Sequence, residues 1–294
     1  MQTPIPYYDY KMAPHARTER SYRSTLCCLP GKQVLVYFQG TKVFLNDLEA
    51  HKIRIFAAHH APVTAVAVHP LGGYVASVDK SGSLKLWSPT HETMMVDQEY
   101  SCDGEVSALE FNAEGRKLLI GCASGKNSLL VLDPELKTTS PMPAGSQVTC
   151  IAHKPQRPFA CVSCSADGQI SAFSFNFKPS KSGRLPVFPC ACSYSPDGKF
   201  VLVGGMDGQV TVVDAKELTT VQKQQIHAGA IYQMRVIDGD LITCSGDASV
   251  KRWTVGADGV LALRGEARFE KYQKDYTFNI VGMCYAEPLK KLVI

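Results

Sequence analysis

The chain of 294 residues lacks several things that would direct a functional reading elsewhere. No apolar run approaches the roughly 18–20 residues of a membrane-spanning helix. Hardly any stretch of ten residues repeats its apolar positions every 3.6, which leaves little room for helices. The opening segment "MQTPIPYYDYKMAPHARTERSYR" has no apolar core of the kind a secretory signal carries, and Asp9 and Glu19 argue against a transit peptide. There is no concentrated basic stripe: the formal charge of +4 is spread along the chain, which argues against nucleic acid as a partner. No Gly-rich phosphate loop, nucleophile elbow or paired carboxylates stand out, and the expectation is therefore no enzyme and no cofactor. The eleven cysteines sit in apolar runs (Cys27, Cys28, Cys122, Cys150, Cys244, Cys284) and read as small core hydrophobes of a reducing compartment. Cys161 and Cys164 form a lone CxxC whose members point to opposite faces of a strand, so no metal is expected there. His59 and His60 open a repeat unit where a turn histidine belongs, and the same expectation holds for them.

What the chain does have is a comb. "DGQISAF" (167–173) returns as "DGQVTVV" (207–213) and again as "DASVKRW" (247–253). Walking the same slot backwards gives Lys126, Ser81 and Gly40, at intervals of about 41, 45, 41, 40 and 40 residues. A second set of turns, "HPLGGY", "NAEGRK", "HKPQRPF", "SPDGKF" and "VIDGDL", keeps the same spacing. Between these markers, runs such as "VTAVAV", "LKLW" and "FVLVGG" alternate at period two, as half-buried strands do. Four short strands per unit of about 40–45 residues is the arithmetic of a β-propeller blade.

The unit "HAGAIYQMRVIDGDLITCSGDASVKRWTV" (227–255) resembles the WD-repeat family. The resemblance implies a structural tetrad of His227, Thr243, Asp247 and Trp253, fold residues rather than a catalytic dyad. Elsewhere the tetrad is eroded: Ser81 replaces the Asp before Trp87, and Phe173 and Val213 stand in the Trp slot after Asp167 and Asp207. The ordered segments "HHAPVTAVAVHPLGGYVASVDKSGSLKLW", "KPQRPFACVSCSADGQISAF", "SPDGKFVLVGGMDGQVTVVD" and "HAGAIY" resemble the N-terminal propeller of the actin-interacting protein 1 family over about residues 24–294.

The expected fold is therefore all-β, a WD40-type β-propeller of about six complete blades and a partial seventh. Residues 1–23 are expected to form a tail or edge strand. The units run near 24–58, 59–101, 102–143, 144–187, 188–226 and 227–269, with a partial unit at 270–294. Either "IPYYDYKM" fills a position of the incomplete seventh blade or the chain is a truncated one, and truncation is the preferred expectation.

The resemblance implies actin filaments and cofilin as partners, and a cytoplasmic, cytoskeleton-associated protein that promotes cofilin-dependent filament disassembly without catalysis. It assigns the contact to Asp167, Phe177 and Lys178. The segment "FSFNFKPSKSGRLPVF" (173–188) adds Phe175 on its own aromatic-plus-basic pattern, which suits a binding patch. The plainer reading makes it an outer strand whose aromatic side packs on its neighbour. The family's acidic residue in the preceding blade's turn has no counterpart in "CASGKN" (122–127). The alternative function is a general WD-repeat scaffold in some other protein complex.

Overall fold

The computed structural model describes residues 26–91, 93–174, 176–269, 280 and 282–294. The expected tail at 1–23 and Phe175 lie outside the described residues. The strands form six four-stranded antiparallel sheets in simple up-and-down order, followed by a two-stranded hairpin. Blade one comprises Cys27–Cys28, Val34–Gln39, Lys42–Asp47 and Lys52–Phe56. Blade two comprises Val63–Val68, Val75–Asp79, Ser83–Trp87 and Val96–Ser101; blade three comprises Val106–Phe111, Leu118–Cys122, Leu129–Asp133 and Thr138–Met142. Blade four holds Val148–His153, Ala160–Ser165, Gln169–Ser174 and Pro179–Arg184. Blade five holds Pro189–Tyr194, Phe200–Gly205, Gln209–Asp214 and Thr220–Gln225; blade six holds Ile231–Ile237, Asp240–Ser245, Ser249–Val255 and Leu261–Arg268. The seventh position is taken by Cys284–Ala286 paired with Lys291–Val293 across one 3₁₀ turn.

The pattern of burial follows from stacking sheets face to face. Second strands such as "VASVD", "LLIGC" and "FVLVGG" are buried on both faces. Outer strands such as "TVQKQQ" alternate or are exposed throughout. Five apolar layers fill the seams between consecutive blades from one to six. A sixth and thinner layer, built on Ile242, Cys244, Val250, Ile280 and Met283, joins blade six to the hairpin. Gln233 of blade six fastens the hairpin, its Oε1 accepting from the Met283 N–H at 2.6 Å. Inner strands from all seven positions line a central cavity of about 680 Å³, so the hairpin occupies a full angular place in the ring.

The recurring Asp-Gly phrase has a steric reason. Gly168 sits at φ +81° in the turn between the second and third strands of blade four, and its carbonyl accepts from the Leu185 N–H at 2.7 Å. A Cβ there would lie 2.3 Å from the Leu185 carbonyl oxygen. The turn is thus the dock on which the outer strand's exit is tied down, and only glycine takes both the dihedral and the approach without strain.

Candidate interaction surface

The up-and-down order of strands divides the connections between two faces of the ring. Turns between second and third strands share one face with the blade-to-blade connections; turns joining first to second and third to fourth strands lie on the other. On the first face, blade six is closed by a hydrogen-bonded chain. The Asp247 carboxylate can only accept, so the proton on His227 sits on Nδ1, 3.0 Å from Asp247 Oδ2. Nε2 then accepts from the Thr243 hydroxyl at 2.8 Å, and the same oxygen accepts from the Trp253 indole N–H at 3.0 Å. Asp247 also takes the Ala228 N–H at 2.9 Å, joining the turn to the blade-to-blade connection. Burial holds His227 below its ordinary 6.5 despite the adjacent Asp247. Burial pushes the Asp247 carboxyl up, but donors from Ser249, Ala228 and His227 outweigh it and hold it below the usual range. Each member of the arrangement is held by protein partners.

Blade two contains a second such chain that sequence reasoning missed. Ser81 does occupy the Asp slot, yet Asp79, at the end of the preceding strand, supplies the carboxylate: its Oδ2 is 3.0 Å from His59 Nδ1. His59 Nε2 meets Ser77 Oγ at 2.7 Å, and Trp87 donates to the same hydroxyl at 3.0 Å. The signal was present in the spacing, since His59 precedes Asp79 by 20 residues just as His227 precedes Asp247. Blades three, four and five depart in two different ways. By strand register, the Thr243 and Trp253 slots hold Ile120 and Leu132 in blade three and Val203 and Val213 in blade five, all fully buried. Exchanging both polar partners for apolar ones is close to neutral. Blade four exchanged only one: Phe173 fills the Trp slot, and the buried Ser163 hydroxyl is left with no partner.

The residues expected to form one contact patch are separated. Asp167 is exposed in the turn between the second and third strands of blade four, where Oδ1 accepts from the Gln169 N–H at 3.1 Å. Phe177 and Lys178 lie at the other end of the intervening six-residue strand, a span of roughly 20 Å, and so on the opposite face. Phe177 is half-buried, takes φ 58°, and packs on the apolar layer between blades three and four. Its ring contributes to that seam from the turn before the outer strand Pro179–Arg184, and Lys178 is exposed beside it. Cys161 and Cys164 do fall in different apolar layers, on opposite sides of the same sheet.

An exposed acid from a neighbouring connection lies beside "CASGKN". Asp103, in the connection between blades two and three, is exposed, and its Oδ2 accepts from Asn127 Nδ2 at 3.3 Å. A Cβ on Gly125 would lie 2.7 Å from the Asp103 carbonyl, a measure of how closely the two connections approach. The Asp-turn face thus presents Asp103, Asp167 and Asp207 with an exposed Met206, and Lys126 on the same turn as Asn127. The opposite face presents the exposed Leu71, Tyr74 and Leu136.

Comparison with known proteins agrees with the architecture. The family described as "WD domain, G-beta repeat" matches residues 50–88, 136–174 and 182–214. The chain is similar to actin-interacting protein 1 of Drosophila melanogaster, 27% identical over 85% of this chain and 43% of the relative. It is similar to WD repeat-containing protein 1 of Xenopus tropicalis, 24% identical over 94% of this chain and 48% of the relative. Among solved structures it resembles the Cps50 (Swd1) β-propeller domain of Myceliophteria thermophila, with a TM-score of 0.59 and 18% identity over 69% of this chain and 71% of that one. The chain therefore carries WD40 repeats in an all-β propeller, and it spans about half the length of the curated relatives it matches. Among the described residues no helix is long and apolar enough to cross a membrane.

Proposed function

We propose that this WD-repeat propeller binds actin filaments and promotes their disassembly together with cofilin, in the cytoplasm and at the cytoskeleton, by contact and not by bond-making. The observation that carries the reading is the similarity, across 85% of the chain, to a relative named for interacting with actin. The His–Asp chains support a non-catalytic role: their members are held by protein partners that serve the fold. The contact surface is the Asp-turn face, with Asp103, Asp167 and Asp207 on its rim. Phe177 and Lys178 serve the seam and the opposite face.

The mechanism needs only differential affinity. A propeller that prefers the cofilin-decorated filament over the bare one shifts the filament population toward the form that severs. Co-sedimentation of the chain with actin filaments, with and without cofilin, tests this. The expected result is binding that rises with cofilin, falls at least tenfold in Asp167→Lys combined with Asp103→Lys, and is unchanged in Lys178→Ala. Binding indifferent to cofilin would overturn the reading, and a pull-down rich in other assemblies with no actin would favour the scaffold alternative.

A further inference from the structure

Cys150, Cys164 and Cys192 come from three separate strands: the inner and second strands of blade four and the inner strand of blade five. Cys150 and Cys164 are direct cross-strand partners. Cys192 reaches them across the seam between the blades, and the three Sγ atoms all lie within 4.8 Å of one another. All three are buried, among Ala152, Val162, Ile170, Val201 and Val203. None of the chain's eleven cysteines is in a disulfide. The hydrogen bond each makes with Cys150, together with burial, keeps the thiols of Cys164 and Cys192 protonated well above their ordinary range. Cys192 is also among the residues that line the central cavity.

Charge decides what such a site can hold. Three thiolates around a monovalent ion leave a net charge of −2, and around a divalent ion −1; either is costly in an apolar seam. A divalent zinc would in addition want a fourth ligand, and the group holds three among the described residues. Three thiolates around a trivalent centre are neutral. We propose that Cys150, Cys164 and Cys192 form a trithiol site for a trivalent thiophilic centre, presented in water as arsenite. In the reaction As(OH)₃ + 3 RSH → As(SR)₃ + 3 H₂O, three As–O bonds break and three As–S bonds form. Each thiol proton leaves with a hydroxide as water. Arsenic stays trivalent and nothing is oxidised or reduced. The product staples blade four to blade five.

The test uses the full chain kept reduced with a phosphine, titrated with sodium arsenite. Native mass spectrometry should show one arsenic gained and three hydrogens lost. Arsenic X-ray absorption should show three sulfur neighbours and no oxygen, and the melting temperature should rise. Cys192→Ala should abolish the three-sulfur signal, and Cys161→Ala, which lies in a different layer, should leave it intact. Absence of an adduct in excess arsenite would overturn the site. So would a centre of two sulfurs and one oxygen that persists in Cys192→Ala, the signature of the adjacent Cys27–Cys28 pair. Copper(I) held at these three sulfurs by a chain that ignores arsenite would refute the charge argument. The X-ray absorption readout is made on the unmodified chain, so it stands even where a variant fails to fold.

Discussion

Thr243→Val is the sharpest probe of how the blades are held, because the same slot in blade four carries the opposite expectation. Thr243 is fully buried, and its hydroxyl serves both the His227 Nε2 at 2.8 Å and the Trp253 indole N–H at 3.0 Å. Valine keeps the shape and removes the oxygen. Two buried polar groups then lose their partner, at about 1–3 kcal/mol each, so the variant is destabilised by roughly 2–6 kcal/mol. At about 2 °C per kcal/mol for a chain of this size, the melting temperature falls by roughly 4–12 °C. Ser163 occupies the register-equivalent position beside Phe173, and its hydroxyl has no partner. Ser163→Ala removes a desolvated group that gains nothing, and is expected to be neutral or stabilising by up to about 1 kcal/mol. Thermal and denaturant unfolding followed by circular dichroism reads both. Equal losses from the two substitutions, or a silent Thr243→Val, would refute the idea that hydrogen-bond satisfaction sets the cost at this slot.

Acid should destabilise the ring in two steps. His59, His69, His153 and His227 are each held below the ordinary 6.5 by burial, so the unfolded chain takes up protons there that the folded chain refuses. Stability therefore falls as pH drops from about 6.5 toward their folded values, with a further loss below about 3.8 as Asp79 and Asp247, held low when folded, are protonated. Denaturant midpoints measured across pH check this, and a midpoint that rises on acidification from neutrality would contradict it. Gly168→Ala meets both a positive φ and a carbonyl 2.3 Å away. It should cost more than about 1 kcal/mol, read by the same denaturation assay, whereas Gly239→Ala, with open space around it, should show only the dihedral penalty.

The repeat was legible because its causes are local. An Asp-Gly turn and a period-two strand need only their own few residues, so the comb of slots at 81, 126, 167, 207 and 247 carries over into second-to-third-strand turns. The tetrad of blade six was legible for the same reason, since all four members lie within one unit. Blade two shows where that logic stops: Asp79 is two residues out of the expected slot, and only the folded turn brings its carboxylate to His59. The expected contact residues show the same limit. Asp167 and Phe177 are ten residues apart in a line of text, but a strand runs between them and carries them to opposite faces.

The amino-acid pattern alone determined the kind of protein this is. Alternating short strands between glycine turns at even intervals can bury their faces only against copies of themselves, and a ring of blades is the packing that does so. Three things were left to the tertiary structure: the approach of Asp103 to Asn127 in the blade-three turn, the orphaned Ser163 hydroxyl, and the meeting of Cys150, Cys164 and Cys192. Each depends on side chains from different strands or different blades arriving at one point. The spacing of residues along a chain carries no record of that, because the seam between two sheets is formed only when both have folded.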